Sequence, residues 1–373
     1  MRIIGRLFLF LLLLIFCVVF IVFSVSTILF PSIIQEDEIH DEHCLNMPPH
    51  HYIHPVFLAS GPPIQSQPRP IFNPKRVGTS AKLDCNLQNK TLIIINSHVN
   101  HTGYRKMQRE FFRPEWLNEN NAMLYFVVAT EDTVNIEAEM KKHRDIMQVD
   151  TNEDYHNITY KAIFWIKEVA QCKHGPKLLL KIDDDVHIDM IGLQFLIKRL
   201  RNLINIKTNS NFRYRTIDDF IACRVISSGQ VVRNSTSKWY LSKDEYKFNT
   251  LGTYCQGMVY FISGNLMPIL YKNIEKSQFL WMDDWYVTRS LVGDYRISYY
   301  SLEQHTLSPN AVHELKAHLN SIRQRKWRTI FVHFRPPEKY PMYRRKRIFA
   351  NITDVNNSCE ILKKARINFV PAY

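Results

Sequence analysis

Glycine is scarce in this chain, with 11 residues in 373. No sequence period repeats, and the two absences together exclude collagen, coiled-coil and simple repeat architectures. Cysteine, at seven residues, is too sparse for a miniprotein held by disulfides, and none shows the spacing of a zinc site. Acidic residues are the minority sign, 35 against 48 Lys and Arg, for a formal net charge of +13. A negatively charged partner is therefore expected: nucleic acid, an anionic membrane surface or a phosphate-bearing substrate. With 46% apolar and 22% charged residues, a chain of this length buries a sizeable core, so wholesale disorder is excluded.

One stretch lacks charge altogether. Leu7 to Phe30 is a run of 24 residues rich in Leu, Phe, Ile and Val. As a helix it would span about 36 Å, enough for the hydrocarbon core of a bilayer. Arg2 and Arg6 precede it, and Glu36, Asp37, Glu38, Asp41 and Glu42 follow it. That asymmetry predicts a short cytoplasmic tail (residues 1–6), an uncleaved signal-anchor (7–30) and a lumenal body. Six Asn-x-Ser/Thr acceptors agree with a lumenal body: Asn89, Asn100, Asn157, Asn234, Asn351 and Asn356. Cys44, Cys85, Cys172, Cys223, Cys255 and Cys359 would then sit in an oxidising space where pairs form. A nucleic-acid partner is not expected there.

Residues 31–88 hold nine of the 17 prolines and no helical or strand period, which reads as an extended stem. The body, residues 89–373, opens with the buried-strand pattern Thr91–Asn96. Further strands are expected at Met123 to Ala129 and Lys177 to Ile182. Helices are expected at Tyr104 to Phe112, Glu131 to His143, Asp154 to Gln171 and Met190 to Leu203. Strands alternating with helices predict an α/β domain with a mostly parallel central sheet and a ligand beyond the strands' carboxyl ends.

The sharpest feature is a Leu-rich strand that runs into three carboxylates, Asp183, Asp184 and Asp185. Adjacent anions at a strand end repel one another and call for a compensating cation, with a hard divalent ion as the natural candidate. Mn2+ or Mg2+ shared with a diphosphate answers that need. A second acidic doublet, Asp283 and Asp284, follows the apolar run Phe279 to Met282. It stands apart from the triplet, as a general base would, although a helix N-cap is the competing reading.

Five blocks in order resemble the β-1,3-glycosyltransferases of glycosyltransferase family 31. They are Arg105 to Phe112, Gln148 to Lys161, Lys181 to Val186, Tyr254 to Ser263 and Asp283 to Thr288. The resemblance covers roughly residues 90 to 325. It implies a GT-A-like nucleotide-sugar-binding fold, a UDP-sugar donor, a glycan acceptor on glycoprotein or glycolipid, and an inverting transfer in β1,3 linkage. It also implies a Golgi type II membrane protein. By the family's pattern Asp284 is the base and Asp283 the fallback. Asp185 leads the metal ligands, with Asp183 or Asp184 completing the shell or reaching the ribose. His305, before Pro309, resembles the His of the family's VHxxxP segment, with His313 as competitor. Arg105, Arg109 and Lys161 are candidates for the diphosphate. Gly257 would admit the sugar to the backbone, with a strand bulge as the alternative.

Phe112, Asp283, Trp285 and the Thr288–Arg289 pair depart from the family's residues. They leave the donor as galactose first and N-acetylglucosamine second. A non-catalytic lumenal relative and a metal-dependent phosphohydrolase are the rival readings. Ten Lys and Arg with one acid between Arg323 and Arg347 form a basic tail.

Overall fold

A computed structural model describes residues 54–58, 60–66, 72–204, 219–308 and 329–334 of the chain. Strands β1 (His54–Leu58), β2 (Thr91–Asn96), β3 (Ala122–Thr130), β4 (Ile146–Asn152) and β5 (Leu178–Asp183) alternate with helices α1 (Thr102–Phe111), α2 (Pro114–Glu119), α3 (Glu137–His143) and α4 (Ile158–Ala170). A short strand β6 (Val186–Ile188), helix α5 (Met190–Leu203) and long strands β7 (Phe220–Gln230) and β8 (Thr250–Ser263) follow. Helix α6 (Met267–Asn273) and strands β9 (Ser298–Ser301), β10 (Thr306–Leu307) and β11 (Phe331–His333) complete the elements used below.

The main sheet has eight strands in the order β1-β9-β7-β8-β5-β2-β3-β4. β5, β2, β3 and β4 run parallel, as the alternating pattern predicts. β8 is antiparallel to both β5 and β7, β9 is parallel to β7, and β1 is antiparallel to β9. Four of the seven pairings are thus parallel. A smaller sheet has the order β10-β11-β6.

β2 is buried along its whole length because helices cover both faces of the sheet. Its Leu92 and Ile94 join one apolar cluster with Ile163 and Trp165 of α4. Its Ile93 and Ile95 join the other with Leu193 and Leu196 of α5. That alternation is the two-residue period of a strand.

Three expectations shift. The helix expected from Glu131 starts at Glu137, because the Asn135 side chain accepts the Glu137 N–H at 2.8 Å and turns the chain there. The helix expected from Asp154 starts at Ile158, after a turn in which Asp154 caps His156 N–H at 2.7 Å. The segment expected as stem up to residue 88 is built into the body wherever it is described. β1 pairs with β9, Leu83 and Leu87 are buried, and Cys85 is bonded to Cys172. Its proline-rich sequence hides this, since the partners β9 and Cys172 lie far along the chain. The run Leu7 to Phe30 lies outside the described residues, among which no helix is long and apolar enough to cross a membrane.

Candidate active site

β2 and β5 are neighbours in register, with Asn96 opposite Asp183 at their carboxyl ends. A cavity of about 930 Å³ opens there. Its walls include the Asp183–Asp185 triplet, Asn96, Lys161, Gly257 and the Asp283–Asp284 doublet. Both acidic motifs of the sequence therefore face one space, at the place where parallel sheets bind ligands.

The three aspartates of the triplet have different partners. Asp183 accepts from the buried Lys181 ammonium at 2.7 Å. Burial pushes its carboxyl up to about 6, against the pull of Lys181. Asp184 turns inward, accepting from Ser97 Oγ at 2.6 Å and meeting His101 Nδ1 at 3.0 Å. That hydrogen bond raises the His101 pKa. Asp185 lies 2.9 Å from His333 Nε2. Gln108 of α1 donates to the carbonyls of Asp184 and Val186 at 2.8 and 2.7 Å and so holds the triplet's backbone from behind.

In the doublet, Asp283 is buried and takes Lys181 Nζ and Asn96 Nδ2, each at 3.3 Å. Asp284 is the second residue of a short helix, Asp283–Trp285, and accepts the Trp285 N–H at 2.7 Å. Burial, then the neighbouring Asp283 charge, push its carboxyl up to about 7. The expected helix N-cap is not formed, since Met282 holds the cap position and no side chain caps the helix; the one backbone bond leaves acceptor capacity on the Asp284 carboxylate.

Gly257 has a reason that the sequence did not show. A Cβ there would stand 3.2 Å from both Cβ and Oδ2 of Asp284. Its missing side chain makes room for the Asp284 carboxylate itself.

Two expected diphosphate ligands face elsewhere. Arg105 has 0% exposure and is absent from the cavity wall. It donates to Glu139 at 2.7 Å, to the carbonyls of His98 and Val99 at 2.7 and 3.0 Å, and to Ser97 Oγ at 3.1 Å. Arg109 pairs with Glu139 at 2.8 Å and Asp145 at 2.7 Å and covers the Phe126 ring. Arg105 braces the loop after β2 and Arg109 ties α1 to α3 and the turn after it, because Glu139 on α3 and Asp145 in that turn claim their donors. Lys161 does line the cavity, bonded to Ser97 O at 2.9 Å and to the Glu153 carboxylate.

The histidine also changes. His305 is buried in a turn and does not line the cavity, whereas His333 does. Antiparallel pairing of β11 with β6 sets His333 opposite Val186, next to Asp185. A signal was present in the sequence, since Val332–His333 with Pro337 satisfies VHxxxP better than Gln304–His305 with Pro309. His313 lies outside the described residues.

Among the described residues no three His, Cys, Asp or Glu side chains form a metal cluster on their own. The Asp185–His333 pair at the cavity wall is a mixed carboxylate and imidazole set. Such a set would suit a divalent ion, and imidazole suits Mn2+ better than Mg2+.

A family model described as Galactosyltransferase matches residues 107–303. Beta-1,3-galactosyltransferase 1 of mouse, and likewise of human, is 27% identical over 188 residues, 48% of this chain and 54% of that protein. Beta-1,3-galactosyltransferase 5 of Pan paniscus is 23% identical over 200 residues, 52% of this chain and 62% of that protein. The chain thus spans about half the length of the first of these relatives. A solved galactosyltransferase in complex with donor and acceptor sugar analogs aligns at 12% identity over 70% of this chain and 95% of that one. Its TM-score of 0.34 is too low to bear on the fold.

Proposed function

Since the chain belongs to the galactosyltransferase family, glycosyltransferase family 31, we propose that it transfers a hexose, galactose first, from a UDP-sugar to a glycan acceptor. The transfer forms a β1,3 linkage with inversion on a GT-A-like domain. The observation that carries this reading is the single cavity shared by the Asp183–Asp185 triplet and by Asp284, whose carboxyl sits near neutral. A general base works best when its pKa lies near the operating pH.

Inversion takes one displacement. An acceptor hydroxyl gives its proton to the Asp284 carboxylate, and its oxygen bonds to the anomeric carbon. The bond from that carbon to the diphosphate breaks, and UDP leaves with the electron pair. Asp185 and His333 would hold a divalent cation, which when bound offsets the charge of the diphosphate. Lys161 and Ser97 shape the wall beside the triplet, and Lys181 keeps Asp183 and Asp283 in place.

The proposed setting is a Golgi type II membrane protein anchored by residues 7–30. Two disulfides among the described residues, Cys85–Cys172 and Cys223–Cys255, support a lumenal body. Asn89, Asn100 and Asn234 are exposed sequons on that body.

The test is a panel of UDP-sugars with Mn2+ against galactose-, N-acetylglucosamine- and xylose-terminated acceptors. Transfer from UDP-galactose, lost in Asp284→Asn while UDP binding persists, is the expected result. Undiminished turnover by Asp284→Asn would remove the base from the scheme.

A further inference from the structure

Residues 60–66, part of the stretch expected as stem, are fastened to the body around the acidic doublet at three points. Thr253 N–H of β8 donates to the Ser60 carbonyl at 2.7 Å, and Ser60 N–H donates to Thr253 Oγ1 at 3.2 Å. The Pro62 carbonyl accepts from Arg289 Nη2 at 2.9 Å. The Gln65 carbonyl accepts the Gln278 N–H at 2.9 Å, and Ser66 forms an antiparallel bridge with Ser277. Two of these anchors bracket Asp283 and Asp284 in sequence, Gln278 before them and Arg289 after.

The backbone is shaped for this contact. A Cβ on Gly61 would stand 2.3 Å from Gly252 Cα, and one on Gly252 would stand 2.6 Å from the Ser60 carbonyl. Both glycines have positive φ, +133° and +74°, so other residues are excluded twice over where the two strands of chain cross. Ile64 packs against the apolar cluster of Leu251, Trp281 and Trp285. Arg289 is 6% exposed, and a guanidinium withdrawn from water needs hydrogen-bond acceptors, one of which is the Pro62 carbonyl.

From these anchors the contacts lead to Asp284. Trp285, the next residue, donates its Nε1–H to the Leu251 carbonyl at 2.9 Å, beside the glycine crossing. Thr288 Oγ1 donates to the Asp284 carbonyl at 2.6 Å and accepts the Cys255 N–H at 3.0 Å. Thr288 and Arg289 are the pair that departs from the family's residues, and the fold gives each a partner, Thr288 the backbone of Asp284 and Arg289 the segment 60–66. We propose that residues 60–66 are a strap that positions Asp284, with Arg289 and Thr288 as the positioning residues that transmit its hold. Neither side chain lines the cavity, so both act through Asp284. This deepens the glycosyl-transfer reading and rests on it.

The experiment uses the full chain and the variants Arg289→Ala, Arg289→Lys and Thr253→Val. Turnover is measured with UDP-galactose, Mn2+ and whichever p-nitrophenyl β-glycoside (galactoside, N-acetylglucosaminide or xyloside) the wild-type chain uses fastest. Rates are expressed per UDP-binding site, counted by calorimetry, so that any unfolded fraction drops out. Arg289→Ala should lower kcat about tenfold or more, within the cost of a misplaced reacting group. Donor and acceptor KM should stay within about twofold, and Arg289→Lys should recover most of the loss. Thr253→Val keeps the side-chain volume and removes the hydroxyl that holds Ser60, so kcat should fall in the same sense even where Arg289→Ala does not fold. The strap is refuted if kcat per site stays within twofold of wild type in the variants that fold, or if the KM values rise while kcat holds. Failure of the wild-type chain to transfer from any UDP-sugar would defeat the glycosyl-transfer reading instead. The strap is then decided by hydrogen–deuterium exchange. Faster exchange confined to residues 250–255 and 283–291 in Arg289→Ala or Thr253→Val upholds it, and unchanged or uniformly faster exchange overturns it.

Discussion

The Lys181 ammonium lies 3.3 Å from the Asp283 carboxylate, although the two belong to different acidic motifs far apart in sequence. The same nitrogen bonds Asp183 at 2.7 Å and the Gly257 carbonyl at 2.8 Å. Burial alone would lower its pKa, but the Asp183 and Asp283 charges push it well above the ordinary lysine range. One buried cation therefore joins the strand end that carries the triplet to the helix that carries the doublet.

Lys181→Met should remove that joint. Two carboxylates would be left without their common partner, at a cost of about 3 kcal/mol or more in stability. Thermal unfolding should show a lowered Tm, and kcat should fall with it. A Tm equal to wild type would mean that the ion pairs contribute nothing to the fold.

With Asp284 as the proposed base, activity should rise with pH. Its carboxyl titrates at about 7, raised by burial and then by Asp283, so the base form gains population as pH increases through that value. Asp283→Asn removes the adjacent charge and should move the acid limb of the kcat profile to lower pH. A limb that stays in place would show that burial alone sets the Asp284 pKa.

The same shift destabilises the fold at neutral pH. The folded pKa of about 7 exceeds the ordinary carboxylate value of 3.8, so the folded state holds the proton more tightly. The resulting stability is present below about pH 4 and is lost as pH rises toward 7. Asp284→Asn should therefore unfold at a higher temperature than wild type at pH 8, by roughly 2–4 °C for each kcal/mol gained. Near pH 4 the two should converge, and a constant difference across that range would contradict the linkage.

Gly257→Ala places a methyl 3.2 Å from Asp284 Cβ and Oδ2. The Asp284 side chain must give way by a few tenths of an ångström, and misplacement of a reacting group costs up to about a hundredfold in rate. Expected is a drop in kcat with donor KM nearly unchanged. Full activity would show that the carboxylate has room to retreat without harm.

His333→Ala should weaken Mn2+ binding, measured by calorimetry with UDP present, by about tenfold or more, on the scale of a lost ligand-shell partner. His305→Ala should leave that affinity alone and lower Tm, because His305 is buried outside the cavity. The reverse pattern would return the ligand role to His305.

The amino-acid sequence by itself determined the parallel half of the sheet, since short, largely apolar runs such as Thr91–Asn96 and Leu178–Ile182 have few other places to go. It also determined that two sets of carboxylates stand where burial makes them costly, which is why both acidic motifs were legible. Only the tertiary structure decided how the remaining residues serve them. Arg105 and Arg109 look like free cations in sequence, but Glu139 and Asp145, brought in by folding, hold their donors. His333 rather than His305 reaches Asp185 through an antiparallel pairing between β11 and β6, a contact across the chain that the VHxxxP pattern at Val332–Pro337 marks but does not place. The reason is general: burial and repulsion act on neighbours in sequence, whereas a charged or aromatic side chain takes its role from whichever distant group the fold sets beside it.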